Sequence, residues 1–183
     1  MSFHYWQYFL AIEASLDETS RYVEIVPDNY KTYSIEFARI LLSASSEVDA
    51  ICKLLCEKIN ATKRNKNIND YRDVITGKYP KFHSMKVLIP RYGIELTPWK
   101  NWENPANPIW WKSHTAVKHE RNINFKVANL ENTLNAVAGL FCVVLYYYQP
   151  ELYKCKLIPW AQLFSLEEEP ENVWEGEYSL PDF

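Results

Sequence analysis

The densest run of residues able to do chemistry is Trp110-Trp111-Lys112-Ser113-His114-Thr115-Ala116-Val117-Lys118-His119-Glu120-Arg121-Asn122. On a helix, Trp111, His114, Lys118 and Arg121 step by three, four and three, so they share one face. His119 falls on an adjacent face, near Thr115 and Asn122. A histidine among cations is held neutral near pH 7, which suits a general base. Lys118 and Arg121 suit a phosphate and the charge that builds on it during cleavage. Metal-independent RNA cleavage needs such a set, with His119 or His114 as base toward a 2′-hydroxyl and the cations facing the phosphorane. Asn122, Lys112 and Trp111 extend it as RNA contacts. The competing reading is a polar network, in which this helix bonds Glu47 or Asp49 of a neighbouring helix and catalyses nothing.

Glu47 would complete the catalytic set as the group that orients the base. In helical projection it lies at the edge of an apolar stripe, between Ala44, Val48 and Ile51. A carboxylate there wants a partner, and Lys118, His114 and Arg121 are the candidates. Four tryptophans, Trp99, Trp102, Trp110 and Trp111, fall within 13 residues. Exposed, they would stack on bases beside Lys100 and Lys112. Buried, they would close the edge of a core, the more usual fate of Trp clustered with prolines. The Tyr146-Tyr147-Tyr148 run points three ways around a helix, so no single surface uses all of it. Cys52 and Cys56 stand at i, i+4, but no second Cys or His pair completes a tetrahedral site. No metal is expected, and the two thiols read as small buried side chains. No cofactor is implied, because neither G-x-G-x-x-G nor G-x-x-x-x-G-K-[ST] occurs among only 4 glycines.

These residues must be carried by helices. Period-3.6 patterns predict helices over about 4–23, 33–60, 70–77, 108–121 and 129–148. The second has the longest stripe: Phe37, Leu41, Ala44, Val48, Ile51, Leu55 and Ile59. Asn107-Pro108 reads as a cap and first position, and Gly77 as a helix end. Residues 61–69 read as a basic loop and 98–108 as an irregular one. Met85–Ile89 and Ile94–Thr97 alternate around Pro90-Arg91-Tyr92-Gly93, which predicts a small β-hairpin. Ser165-Leu166-Glu167-Glu168 has the form of a capping box and predicts a helical turn. The fold class expected is all-α, a bundle of four or five helices with a hairpin insertion at about 85–97. It forms one domain over 1–165, followed by an acidic tail over 166–183.

The chain of 183 residues is 48% apolar and 15% aromatic, enough for one substantial core and too much for a disordered chain. The first residues lack the basic region of a signal peptide. The longest apolar run, Ala136 to Tyr148, has 13 residues, short of a bilayer span. Together with four scattered cysteines this predicts a cytoplasmic protein with reduced thiols and no membrane partner. The net charge of −3 conceals an asymmetry. Residues 58–91 carry 9 bases and 2 acids, whereas residues 166–183 carry 7 acids and no base. A basic middle attracts a polyanion, pairs with its own tail, or is solvated in pieces.

Two stretches resemble the HEPN superfamily (higher eukaryote and prokaryote nucleotide-binding domains). They are the helix with Ser46-Glu47-Val48-Asp49 and Lys53, and the later helix with Lys118-His119-x-Arg121-Asn122. The resemblance spans residues 33–60 and 108–148. It implies a compact helical bundle and either RNase activity in a toxin–antitoxin or phage-defence setting or a non-catalytic binding role. RNase members carry an arginine, a polar residue and then a histidine after four to six intervening residues. Arg121-Asn122 matches the beginning of that pattern, but His114 and His119 precede the arginine and no histidine follows it. Two functions are therefore expected as alternatives. One is an RNA-binding or RNA-cleaving domain, as a homodimer with its 108–122 helices facing each other. The other is a non-enzymatic subunit whose basic middle and aromatic loop dock a protein partner.

Overall fold

A helix that is apolar nearly all round must be covered on every side, and that requirement organises the chain. The computed structural model describes residues 3–60, 66–152, 157–166 and 180. Its last helix, α5 (Leu130–Leu152), is buried without interruption from Ala136 to Tyr146. Within it, Leu130–Gln149 has the length and hydropathy of a membrane span, yet most of that stretch is enclosed by the protein. Three helices do the enclosing: α1 (His4–Thr19), α2 (Ile35–Ile59) and α4 (Ile109–Asn124). The fifth, α3 (Ile68–Lys78), packs on α2 through Tyr71 and Ile75. The architecture is thus a five-helix bundle with a small antiparallel sheet beside it.

The stripe expected on α2 is the one it buries, from Phe37 through Leu41, Ala44, Val48 and Ile51 to Leu55. Ser34 caps this helix, its Oγ accepting the Phe37 N–H at 3.0 Å. Helix α1 stops at Thr19, short of Val23, where Ser20, Tyr22 and Val23 bend back onto Asp17 and Thr19 carbonyls. In that turn Arg21 and Tyr22 are exposed and Val23 reaches the edge of the core from outside the helix, so packing does not extend α1. Asn67 caps α3 two residues earlier than expected by accepting the Asn69 and Asp70 N–H groups. Gly77 lies inside α3, and Tyr79, outside the helical region at φ −124° and ψ 82°, ends it. Helix α5 continues past Pro150 to Leu152, since a proline in the last turn removes only one helical hydrogen bond.

The hairpin forms from β1 (Val87–Ile89) and β2 (Ile94–Leu96), with Val87 opposite Leu96 and Ile89 opposite Ile94. Its turn is one coil of 3₁₀ helix over Pro90–Tyr92, closed by Gly93 at a φ of 62°. That left-handed conformation costs glycine little and most other residues more. The expected helical turn at Ser165 is not formed. Ser165–Leu166 is a strand, β3, pairing with the free edge of β1 so that Val87 faces Leu166. A strand edge supplies the hydrogen bonds that a capping box would otherwise have provided. Glu167 and Glu168, with the rest of the acidic tail except the buried Leu180, lie outside the described residues.

Candidate nucleic-acid interface

Helix α4 carries most of the candidate residues, and its two faces have different fates. Trp110, Ser113, His114 and Val117 point into the bundle and are buried. Lys112, Thr115, Lys118 and His119 are exposed. Trp111 is half-buried at the border, its ring 5.2 Å from the His114 imidazole. Asn107 does not cap the helix. Pro108 stands in the cap position, and the Asn107 side-chain oxygen is buried without a hydrogen-bond partner.

The structure brings Trp111, His114 and Lys118 together and sets Arg121 apart. Glu120 breaks the helix at φ −140°, ψ 53°, so the residues after it no longer follow the three-four-three step. Arg121, Asn122 and the following Lys126 are exposed beyond that break. Among the described residues, Lys112, Lys118, Arg121 and Lys126 form no ion pair. Cations elsewhere are more often engaged. Arg91 meets Asp17 at 3.1 Å, Arg72 meets Asp73, Lys86 meets Glu95, and Lys58 lies over the Tyr147 ring. The basic middle of the sequence is therefore partly spent on local acids, and α4 with the turn after it carries four of the cations that form no ion pair among the described residues.

His114 is 8% exposed, and its Nδ1 has no hydrogen-bond partner. Burial first, and the charges of Lys118 and His119 second, hold its pKa down at about 4. It is neutral at pH 7 as expected, but a base that weak takes a proton poorly. Among the two imidazoles of this helix, His119 is the exposed one. Glu47 is half-buried on α2, with no hydrogen bond or ion pair to Lys118, His114 or Arg121. Burial alone raises its carboxyl above the ordinary value. Asp49, the other carboxylate considered for the network, faces Tyr71 of α3 instead, where burial first and the Asp49 charge second push the phenol's pKa up.

The tryptophan cluster divides. Trp99, Trp102 and Trp110 are buried, with ring centroids 4.2 Å apart for Trp99 and Trp102 and 5.2 Å for Trp99 and Trp110. Trp99 donates to the Gly139 carbonyl at 3.1 Å, and Trp110 to the Pro98 carbonyl at 2.8 Å. These three join the 98–108 loop to α5, and Trp111 alone of the four keeps an accessible ring. Cys52 and Cys56 are buried side by side on α2, and burial pushes the Cys52 thiol upward. A feature outside the sequence-based candidates is a cleft of about 390 Å³ between the 98–106 segment and the first turns of α4 and α5. One signal for it was present: Asn129, Asn132 and Asn135 repeat every three residues, and two of them reach the cleft. No family model, curated protein or solved structure matches the chain.

Proposed function

We propose that the chain is a HEPN-like RNA-binding module that holds single-stranded RNA along the outer surface of α4. The observation that carries this reading is the group of four exposed cations, Lys112, Lys118, Arg121 and Lys126, none of which forms an ion pair among the described residues even though Glu120 lies between them in the chain. Unpaired charge on an ordered surface attracts a polyanion, and each phosphate it neutralises releases counterions. Trp111 offers a ring for one base and Asn122 an amide for hydrogen bonding. Binding is favoured over cleavage, because His114 is buried and weakly basic, Glu47 is not joined to either histidine, and no histidine follows Arg121.

The test is binding of a single-stranded RNA oligomer across a salt series. For single strands, the slope of log K against log salt falls by about 0.7 per phosphate contact. Lys118→Ala/Arg121→Ala should therefore flatten the slope by about 1.4 while leaving the circular dichroism spectrum unchanged. Absence of binding at low salt, or binding with no salt dependence, would overturn the reading. The same samples incubated in EDTA report cleavage, and a base role for His119 requires that His119→Ala abolish it.

A second reading has its own observation. Ile109, Ile123 and Ile35 are 65%, 70% and 77% exposed, and the first two lie on α4 itself. Exposed isoleucines on the same helix suit a protein partner, and association that persists at high salt would favour it.

A further inference from the structure

The cleft between the 98–106 segment and α5 has its own chemistry, separate from the cationic surface of α4. Its volume of about 390 Å³ is in the range of small-molecule sites. One wall is the 3₁₀ turn Lys100–Glu103, the other is the first two turns of α5, and Trp110 lies at the floor.

The two walls present different groups. On α5, Asn132 donates its amide to the Val127 carbonyl at 2.9 Å, and Asn135 donates to the Glu131 carbonyl at 2.9 Å. With one N–H of each amide engaged, each side chain keeps its carbonyl oxygen as an acceptor, and one further N–H, for something else. Glu131 is already paired, its Oε2 at 2.5 Å from Lys31. On the opposite wall, Lys100 and Glu103 are exposed, and neither side chain has a partner among the described residues. One uncompensated cation and one uncompensated anion, three residues apart, therefore face a wall of fixed acceptors.

This pattern discriminates between ligand classes. A saccharide or a nucleobase in a small site uses an aromatic face as a platform. Trp110 is 2% exposed, and its indole N–H is committed to Pro98, so it supplies no such face. A simple anion would be repelled by Glu103, and a simple cation by Lys100. A small zwitterion satisfies both, with its carboxylate on Lys100 and its ammonium on Glu103 and the Asn132 and Asn135 oxygens. We propose that this cleft binds a small molecule of the α-amino acid class.

Calorimetric titration of the full chain tests this with a panel of free α-amino acids, and with glucose and uridine as comparisons. At least one amino acid is expected to bind. Its methyl ester and its N-acetyl derivative should each bind at least about tenfold more weakly, since each loses one charge-assisted contact. Lys100→Met should weaken the free amino acid by a similar factor and leave the methyl ester unaffected, while Glu103→Gln should do the same for the N-acetyl form. Both positions are exposed, so the melting temperature without ligand should not move. No heat with any amino acid at millimolar concentration, unchanged affinity in both variants, or binding of glucose or uridine alone would each overturn the proposal. None of these outcomes bears on RNA binding by α4.

Discussion

The carboxylate of Glu13, on the third turn of α1, accepts the backbone N–H of Leu163 at 2.8 Å, 150 residues away in the chain. The same carboxylate takes the N–H groups of Phe164 at 3.1 Å and Gln162 at 3.0 Å. One buried side chain thus satisfies three successive donors of a segment that has no helix of its own. It delivers that segment to the edge of β1, where Ser165–Leu166 becomes a strand. Trp6 adds a bond to the Pro159 carbonyl at 2.8 Å, and Phe164 packs against Phe9 and Phe141.

Glu13→Ala is therefore expected to destabilise the protein by about 3 kcal/mol, because two buried donors and one part-buried donor lose their acceptor at once. Urea denaturation measures this directly. Burial pushes the Glu13 carboxyl above its ordinary value despite the three N–H bonds, so its contribution is fullest below pH 4.5 and declines as pH rises through the folded-state value. The stability gap between the parent and Glu13→Gln should shrink over that rise.

Gly139 admits the Trp110 ring. A Cβ placed on Gly139 would stand 2.9 Å from Trp110 Cζ2. Trp110 cannot yield easily, since its N–H is held by Pro98 and its neighbour Trp99 is bonded to Gly139 itself. Gly139→Ala should cost about 1–3 kcal/mol by overpacking, although alanine favours helix elsewhere. A melting temperature equal to or above the parent's would show that the ring moves aside.

His114 makes the stability pH-dependent in the opposite sense to Glu13. Its pKa falls from 6.5 in the unfolded chain to about 4 in the fold, so the unfolded state binds the proton more tightly. Its contribution is present above pH 6.5 and lost as pH falls toward about 4. The full shift corresponds to roughly 3 kcal/mol. His114→Phe, which cannot take a proton, should remove that part of the acid sensitivity. A parent and a variant with parallel stability profiles between pH 7 and pH 4 would contradict it.

Glu47 is raised by burial and has no counter-charge to offset it. At neutral pH the charged form is therefore a cost to the fold, and Glu47→Gln should be slightly more stable than the parent. The advantage should disappear below pH 4.5, where the parent carboxyl is protonated in both states. A Glu47→Gln protein less stable than the parent at neutral pH would mean that the carboxylate has a partner in solution.

Local patterning made the main helices and the hairpin legible. The Phe37-to-Leu55 stripe on α2 and the apolar run of α5 each required burial along their length, whatever lay opposite them. Pro90-Arg91-Tyr92-Gly93 specified a turn because proline and glycine restrict or release φ by their own covalent structure. The candidate residues of α4 were legible as a group, but their arrangement was not. The step that put Arg121 beside Lys118 assumed an unbroken helix, and the break at Glu120 is not written in any proline or glycine nearby.

The sequence by itself determined a helical bundle around one helix that is apolar nearly all round in its second half, a hairpin ahead of it in the chain, and a cation-rich α4. Those follow from periodicity, composition and turn chemistry, which act between neighbours a few residues apart. Only the tertiary structure decided that Ser165–Leu166 is a strand, that His114 is buried while His119 is exposed, that three tryptophans are core, and that two asparagine-bearing segments enclose a cleft. Each of these depends on a partner tens to 150 residues away, such as Glu13 for Leu163 or Gly139 for Trp110. Burial and hydrogen bonding between such distant segments exist only after the chain has folded, so no local pattern carries them.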